Sequence, residues 1–451
     1  VTEAIVWCAY LVAVLVSAVA LYLVDWRSMR FMDGILVGSV YYLVAPFVLI
    51  LMHGELPPDF IKAPPYRPYS DLGTTTVVIG GMFLVAAMTI LTRPVRRRVD
   101  ETDRRILPTM LVIFALSSIY ALVNSGILTG GHWYRATADA LETSGSFLLI
   151  KHLANFSRTA IFGILLYWNL NRGMSRRRAI VIGVIIVLAD LVMTFNRVTG
   201  VYFLIMIIIM YRRKFFPVAT VIALMLFALP TVSNMWPMFR GIIGSRDYTV
   251  ENIADAAVTA FERSNTDIPA VESLNGVFES VNIVVLNFVV THSGTDLPLR
   301  KGEMFIRPFT FFLPAQVWAN RPANFGSTLG QEINQTEDLA LNSTLFGEPY
   351  ANFGSFWWIA LAGLLLGYEF LTRWLGWTSR VVGFIAAFTG FAMWRFDTVF
   401  EVISMVLTML ILMGLAATRS RVRRPARQGG AQPGAAGAAA MTAPLDGERR
   451  T

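Results

Sequence analysis

The chain has 451 residues, 55% hydrophobic and 15% charged, with a net charge of +8 and a mean hydropathy of +0.56. These proportions exclude an ordinary soluble domain and describe an integral membrane protein. The single cysteine, Cys8, rules out an intrachain disulfide and a zinc-thiolate site, and the four histidines (His53, His132, His152, His292) show no H-x-x-H spacing, so neither a metal nor another cofactor is expected.

Apolar runs fall at 4–24, 34–53, 73–92, 107–125, 154–171, 179–195, 198–211, 216–235, 354–372, 381–393 and 399–418. They are continuously apolar, most over about 18 residues or more, as helices crossing roughly 30 Å of hydrocarbon require, and they lack the alternation of barrel strands. The expected fold is an all-α polytopic membrane protein of about 11 transmembrane helices. It divides into an N-terminal bundle (1–234, about eight spans), a large extracytoplasmic loop or cap (235–353), C-terminal helices (354–418, about three spans) and a disordered tail (419–451). Alternate short connections are basic: Arg27 and Arg30, then Arg93 to Arg105, Arg172 to Arg178, Arg212 to Lys214, and Arg373 with Arg380. Lys and Arg near span ends stay in the cytoplasm, which puts these connections and the arginine-led tail inside and the segment 235–353 outside. The positive charge is thereby explained by topology and anionic lipid, with no nucleic acid partner.

Within 235–353, residues 251–266 have helical spacing of Ile253, Ala257 and Phe261, with Asn252 or Thr249 near the start. The stretch 274–290 is nearly apolar enough for a membrane, but Glu279, Asn282 and Asn287 interrupt it, favouring a helix laid against the bundle or dipping into it. Pro298, Pro308, Pro314 and Pro322 then punctuate an aromatic-rich strap. Arginines recur along the segment, including Arg240, Arg307 and Arg321. A guanidinium stays charged and presents a planar donor fork suited to phosphate.

The runs Leu313-Pro-Ala-Gln-Val-Trp-Ala-Asn-Arg-Pro-Ala-Asn-Phe-Gly326 and Ser343-Thr-Leu-Phe-Gly-Glu-Pro-Tyr-Ala-Asn-Phe-Gly354 resemble the oligosaccharide repeat-unit polymerases, the Wzy or O-antigen polymerase family. Residue matches lie mainly across 313–367, with Arg321-Pro322 at a basic-Pro pair and Gly347, Glu348, Tyr350, Asn352 and Gly354 in a Gly-Glu-x-Tyr-x-Asn-x-Gly element. The arginine-x10-glycine pattern of some members is absent: Arg240 and Arg321 are followed eleven positions on by Glu251 and Glu332. The resemblance implies a membrane bundle of the glycosyltransferase-C type in the bacterial inner membrane. It implies polymerisation of undecaprenyl-diphosphate-linked oligosaccharides at the periplasmic face, and leaves room for a chain-length regulator protein as partner. Arg321, Arg307, Arg240 and Arg197 are the expected diphosphate ligands, in that order. Glu348 is the expected base or acceptor orienter, and Tyr350 and Asn352 the sugar-hydroxyl partners.

Each has a plainer reading. Arg321 has Glu332, Glu337 and Asp338 as alternative partners, and Glu348 is an acid upstream of the helix that begins near Gly354. Arg197 lies between adjacent spans and must face the bundle or its mouth; Arg395 and Asp397 read as a mutual pair, and Asp190 as an interhelical contact. His292 is a further substrate-binding candidate whose plainer reading is a surface or satisfied residue; a histidine on an outer loop is the base expected in related polysaccharide ligases. Such a ligase and a non-enzymatic lipid-linked glycan transporter are the two alternatives.

Overall fold

The computed structural model describes residues 1–56, 60–93, 105–124, 145–194, 198–220, 223, 234–235, 238–239, 241–243, 249–264, 279–306, 325–335, 341–375 and 380–395. Val1–Met409 group into one unit. Residues 410–451, and with them the expected tail, lie outside the described residues, as does most of the 216–235 run and all of 399–418.

The first half supplies α1 (Thr2–Tyr22), α2 (Phe31–Ser39), α3 (Ala45–His53), α4 (Leu72–Leu91), α5 (Ile106–Asn124), α6 (Gly145–Asn171), α7 (Arg176–Thr194) and α8 (Val198–Tyr211). After these come α9 (Val250–Ser264), α10 (Val281–His292), α11 (Glu303–Ile306), α12 (Phe325–Asn334), α13 (Thr344–Phe353), α14 (Trp357–Leu375) and α15 (Arg380–Ala392). Among the described residues there is no strand beyond two isolated bridges. Among the described residues, four helical stretches are long and apolar enough to cross a membrane: Thr2–Tyr22, Phe31–His53, Leu72–Leu91 and Thr344–Trp374. The chain is a helical membrane protein.

The second stretch is not a uniform α-helix. Pro46 cannot donate a backbone hydrogen bond and would press on the carbonyl of Tyr42, and just before it the chain widens into a π-turn, Val40–Val44, with Ala45 N bonded to Val40 O. The widening lets the consecutive Tyr41 and Tyr42 both meet Phe391, at ring distances of 5.9 and 5.5 Å.

α15 is the hub. Every residue from Val381 through Ala392 except Gly383 is buried, and the helix packs on α2 and α6. Small residues make this approach: a Cβ on Gly34 would fall inside the carbonyl of Ala387, and one on Gly163 would lie 2.8 Å from the carbonyl oxygen of Phe384. Apolar solvent supplies no hydrophobic drive between membrane helices, so close backbone approach is what holds them.

A charge cluster ties α2, α4 and α14 at the end where the basic connections lie. Asp33 accepts from Arg30 N at 2.8 Å, Nε at 3.2 Å and Nη2 at 2.8 Å. Arg30 Nη1 donates to the carbonyl of Thr92, and Nη2 also reaches that of Thr89 at 3.3 Å. Glu369 accepts from Met32 N at 3.1 Å and from Arg373 Nε at 2.7 Å. Both acids are buried, and both are bonded on both oxygens.

In the connection before α4, the Tyr66 hydroxyl sits 2.7 Å from Thr75 Oγ1, and burial pushes this phenol above the usual tyrosine range. The helix expected over 251–266 is α9, and Thr249 Oγ1 accepts from Asn252 N at 3.1 Å as its cap. The stretch 274–290 yields α10, which is buried from Asn282 through Val289 and packed between α4 and α13. Its interrupting polar residues are internal contacts. Asn287 takes the Thr74 hydroxyl at 2.6 Å and donates to Asp71 at 3.4 Å.

Candidate functional site

The Gly-Glu-x-Tyr-x-Asn element is a helix in its own right. The expectation was a helix beginning near Gly354 with Glu348 upstream of it; instead α13 begins at Thr344 and Glu348 lies within it. Gly354, with φ +55°, ends α13, and a short turn over Gly354–Phe356 leads into α14. A boundary at 353/354 therefore falls inside one membrane-length stretch, Thr344–Trp374.

The start of α13 is strained and tightly fitted. Thr344 is a β-branched residue at φ +65°, held by a 3.0 Å bond from its N–H to Asn342 Oδ1. A Cβ at Gly347 would collide with the Ser343 side chain. Asn342 also donates to the carbonyl of Trp394 at 2.8 Å, and Trp394 in turn donates to the carbonyl of Ile35 at 2.9 Å. Phe346 wedges between Trp394 and Trp357, at 5.3 and 5.4 Å. The element is thus pinned to α2 and to the end of α15. Of the paired tryptophans at the head of α14, Trp357 is buried and Trp358 exposed.

Its four polar and glycine positions divide the work. Gly347 and Asn352 are buried, while Glu348 and Tyr350 are half-buried and reach the surface of the helix. Asn352, expected to meet a sugar, has its side chain fully engaged by the chain itself. The amide donates to Glu348 O at 2.8 Å and lies 3.0 Å from Met304 Sδ, and its oxygen accepts from Gly302 N at 3.0 Å. Together with the bond from Arg300 N to Ala351 O at 3.1 Å, this seats residues 300–306 on α13. Asn352 is a brace, because a buried amide with its donors and acceptor filled has none to offer a ligand.

His292 also meets the chain. Its Nδ1 lies 2.8 Å from Thr291 Oγ1 and 3.0 Å from Phe288 O, with the ring stacked on Phe288 at 4.2 Å. Arg197, Arg240, Arg307 and Arg321 lie outside the described residues, as does Asp397.

Two charged pairs inside the helix packing were not anticipated. Arg395 was read as the partner of Asp397; the described partner is Glu279. Glu279 sits at φ +53°, just before α10, with the Asn282 amide 3.5 Å from its carboxylate. The pair lies in electrostatic reach of Tyr41, Tyr42 and Tyr202. A strained non-glycine backbone, a π-turn and a partly buried ion pair meet at this one end of α15, and such features concentrate at working sites.

The second pair joins α6, α7 and α8. Asp190 is indeed an interhelical contact, and its main partner is Arg158, which the hydropathy of the 154–171 run conceals. One nitrogen, Nη1, meets both Asp190 oxygens at 2.7 Å, and the Thr199 hydroxyl donates to Oδ2. Arg158 and Asp190 are 1% and 2% exposed. Nε and Nη2 of Arg158 are buried and have no hydrogen-bond partner among the described residues, a condition that costs about 1–3 kcal/mol per polar group. Among the described residues no three His, Cys, Asp or Glu side chains converge as a metal site would need.

Comparison of the chain with protein-family models, curated proteins and solved structures finds no match. Fold and site together define a helical membrane protein with ionised groups built into its helix packing.

Proposed function

We propose that the chain is a membrane glycosyltransferase that polymerises undecaprenyl-diphosphate-linked oligosaccharide repeat units at the outer face of the bacterial inner membrane. One observation carries this reading: the Gly347 to Gly354 element, on which the resemblance to repeat-unit polymerases rests, is a helix braced to the bundle that keeps Glu348 and Tyr350 at its surface. In this reading about 11 spans cross the membrane, with 235–353 outside and the tail inside.

The chemistry needs little from the protein beyond placement and charge. The acceptor hydroxyl oxygen attacks the anomeric carbon of the donor glycan, and the bond from that carbon to the diphosphate oxygen breaks. The departing electrons stay on undecaprenyl diphosphate. Glu348 takes the hydroxyl proton, and Tyr350 orients the acceptor sugar. Arg321, Arg307, Arg240 and Arg197 neutralise the leaving diphosphate, each with a fork that remains charged. Holding two lipid-anchored substrates in line supplies several kcal/mol more.

Purified protein in lipid, given one lipid-linked repeat unit, is expected to make laddered products. Arg321→Ala and Glu348→Gln are expected to abolish extension while leaving the protein folded. Unchanged substrate with the wild type, or full-length polymer from both variants, would overturn the assignment.

A further inference from the structure

Resting on that reading, we infer that the Nε–Nη2 edge of Arg158 is a subsite for uncharged sugar oxygens of the lipid-linked glycan, and not for its diphosphate. The broad edge of the guanidinium presents two parallel N–H donors, the arrangement that takes a pair of oxygens. Here that edge is buried and unpartnered among the described residues, while the narrow end alone holds Asp190. An ionised side chain inside a membrane bundle calls for a function by default.

Charge decides between the two parts of the substrate. Asp190 already cancels Arg158, and Thr199 adds a hydroxyl donor to the carboxylate. A phosphate on the free edge would face the Asp190 carboxylate across a single guanidinium, in surroundings that screen poorly. Hydroxyl or carbonyl oxygens accept the same two bonds without that repulsion. Position also fits: Asp190 is four residues from the last residue of α7 and Thr199 is the second residue of α8. The triad therefore lies about one turn, roughly 6 Å, below the end of α7 opposite Arg176, Arg177 and Arg178. About one turn deeper on α6 and α8, Phe162 and Tyr202 close edge to face at 6.2 Å.

The test uses the full chain in lipid nanodiscs with two probes: the polyprenyl-diphosphate glycan extracted from cells that express the chain, and undecaprenyl diphosphate without sugar. Arg158→Lys keeps a charge for Asp190 and removes the edge. It is expected to weaken glycan-lipid binding about tenfold and leave undecaprenyl diphosphate binding as in the wild type. Should the lysine variant not fold, Arg158→Met with Asp190→Leu removes the pair together and carries the same expectation. Equal loss for both probes would assign the edge to phosphate, and no loss for either would show that it binds no substrate; each overturns the inference. The polymerase reading fails separately. Wild-type protein that binds the glycan-lipid in an edge-dependent way but makes no ladder removes that reading and leaves the subsite standing.

Discussion

The cluster around Arg30 and the one around Arg158 are built from the same residue types and differ in completeness. Asp33 and Glu369 are bonded on both oxygens, and Arg30 spreads all three of its nitrogens over Asp33 and two carbonyls, so three helices are locked. Arg158 is more deeply buried, at 1% against 13% for Arg30, yet it holds Asp190 through one nitrogen and leaves two donors over. A guanidinium bonded through all three nitrogens is a clamp. One bonded through a single nitrogen carries a cost that packing alone does not account for.

The sharpest way to break this contrast is to remove one acid from each cluster. Asp190→Ala leaves Arg158 without its counter-charge and is expected to lose about 3–5 kcal/mol in thermal or denaturant unfolding in lipid or detergent; Asp33→Ala takes the nearer acid from Arg30, leaves Glu369 at 4.0 Å, and is expected to lose about 3 kcal/mol. A loss confined to one of them would mean that the other pair is not held as described. Removing both partners should separate the clusters. Arg158→Met with Asp190→Leu is expected to be neutral or up to about 3 kcal/mol more stable, as apolar replacements of buried pairs often are. Arg30→Met with Asp33→Leu is expected to lose about 1–3 kcal/mol, because the Thr89 and Thr92 carbonyls lose donors as well. Similar outcomes for the two double variants would erase the distinction between clamp and subsite.

Asn352→Ala probes the brace at α13. It unpairs Gly302 N and removes two side-chain contacts, for an expected loss of about 2 kcal/mol and faster proteolysis within 300–306. A variant with reduced activity and unchanged unfolding would return Asn352 to the sugar. Trp394→Phe should have the smallest effect, about 1 kcal/mol, since it removes one hydrogen bond to Ile35 O and keeps the ring contacts with Phe346 and Tyr42.

The Gly-Glu-x-Tyr-x-Asn element shows how far its spelling could be read. Its residue types are visible in sequence, but their duties are not. Asn352 and Tyr350 are two positions apart with similar hydrogen-bonding capacity, and only the chain folding back at Gly302 fills one of them. Pro349 lies inside α13, where it has no N–H to offer the carbonyl of Leu345, and the helix forgoes that backbone bond.

By itself the sequence determined that this is a helical membrane protein, where its first three long apolar helices run, and that a helix lies near 251–266, with its start left between Thr249 and Asn252. These are local matters: a backbone in hydrocarbon must satisfy itself within each helix, so a run of apolar residues of sufficient length is already an answer. Tertiary structure alone decided the partners of the buried charges. Arg395 pairs with Glu279, 116 positions away, and Arg158 on α6 meets Asp190 on α7. A charge inside a membrane protein takes whichever counter-charge the packing brings to it, and glycines such as Gly34 and Gly163, through how closely they let helices approach, set that packing.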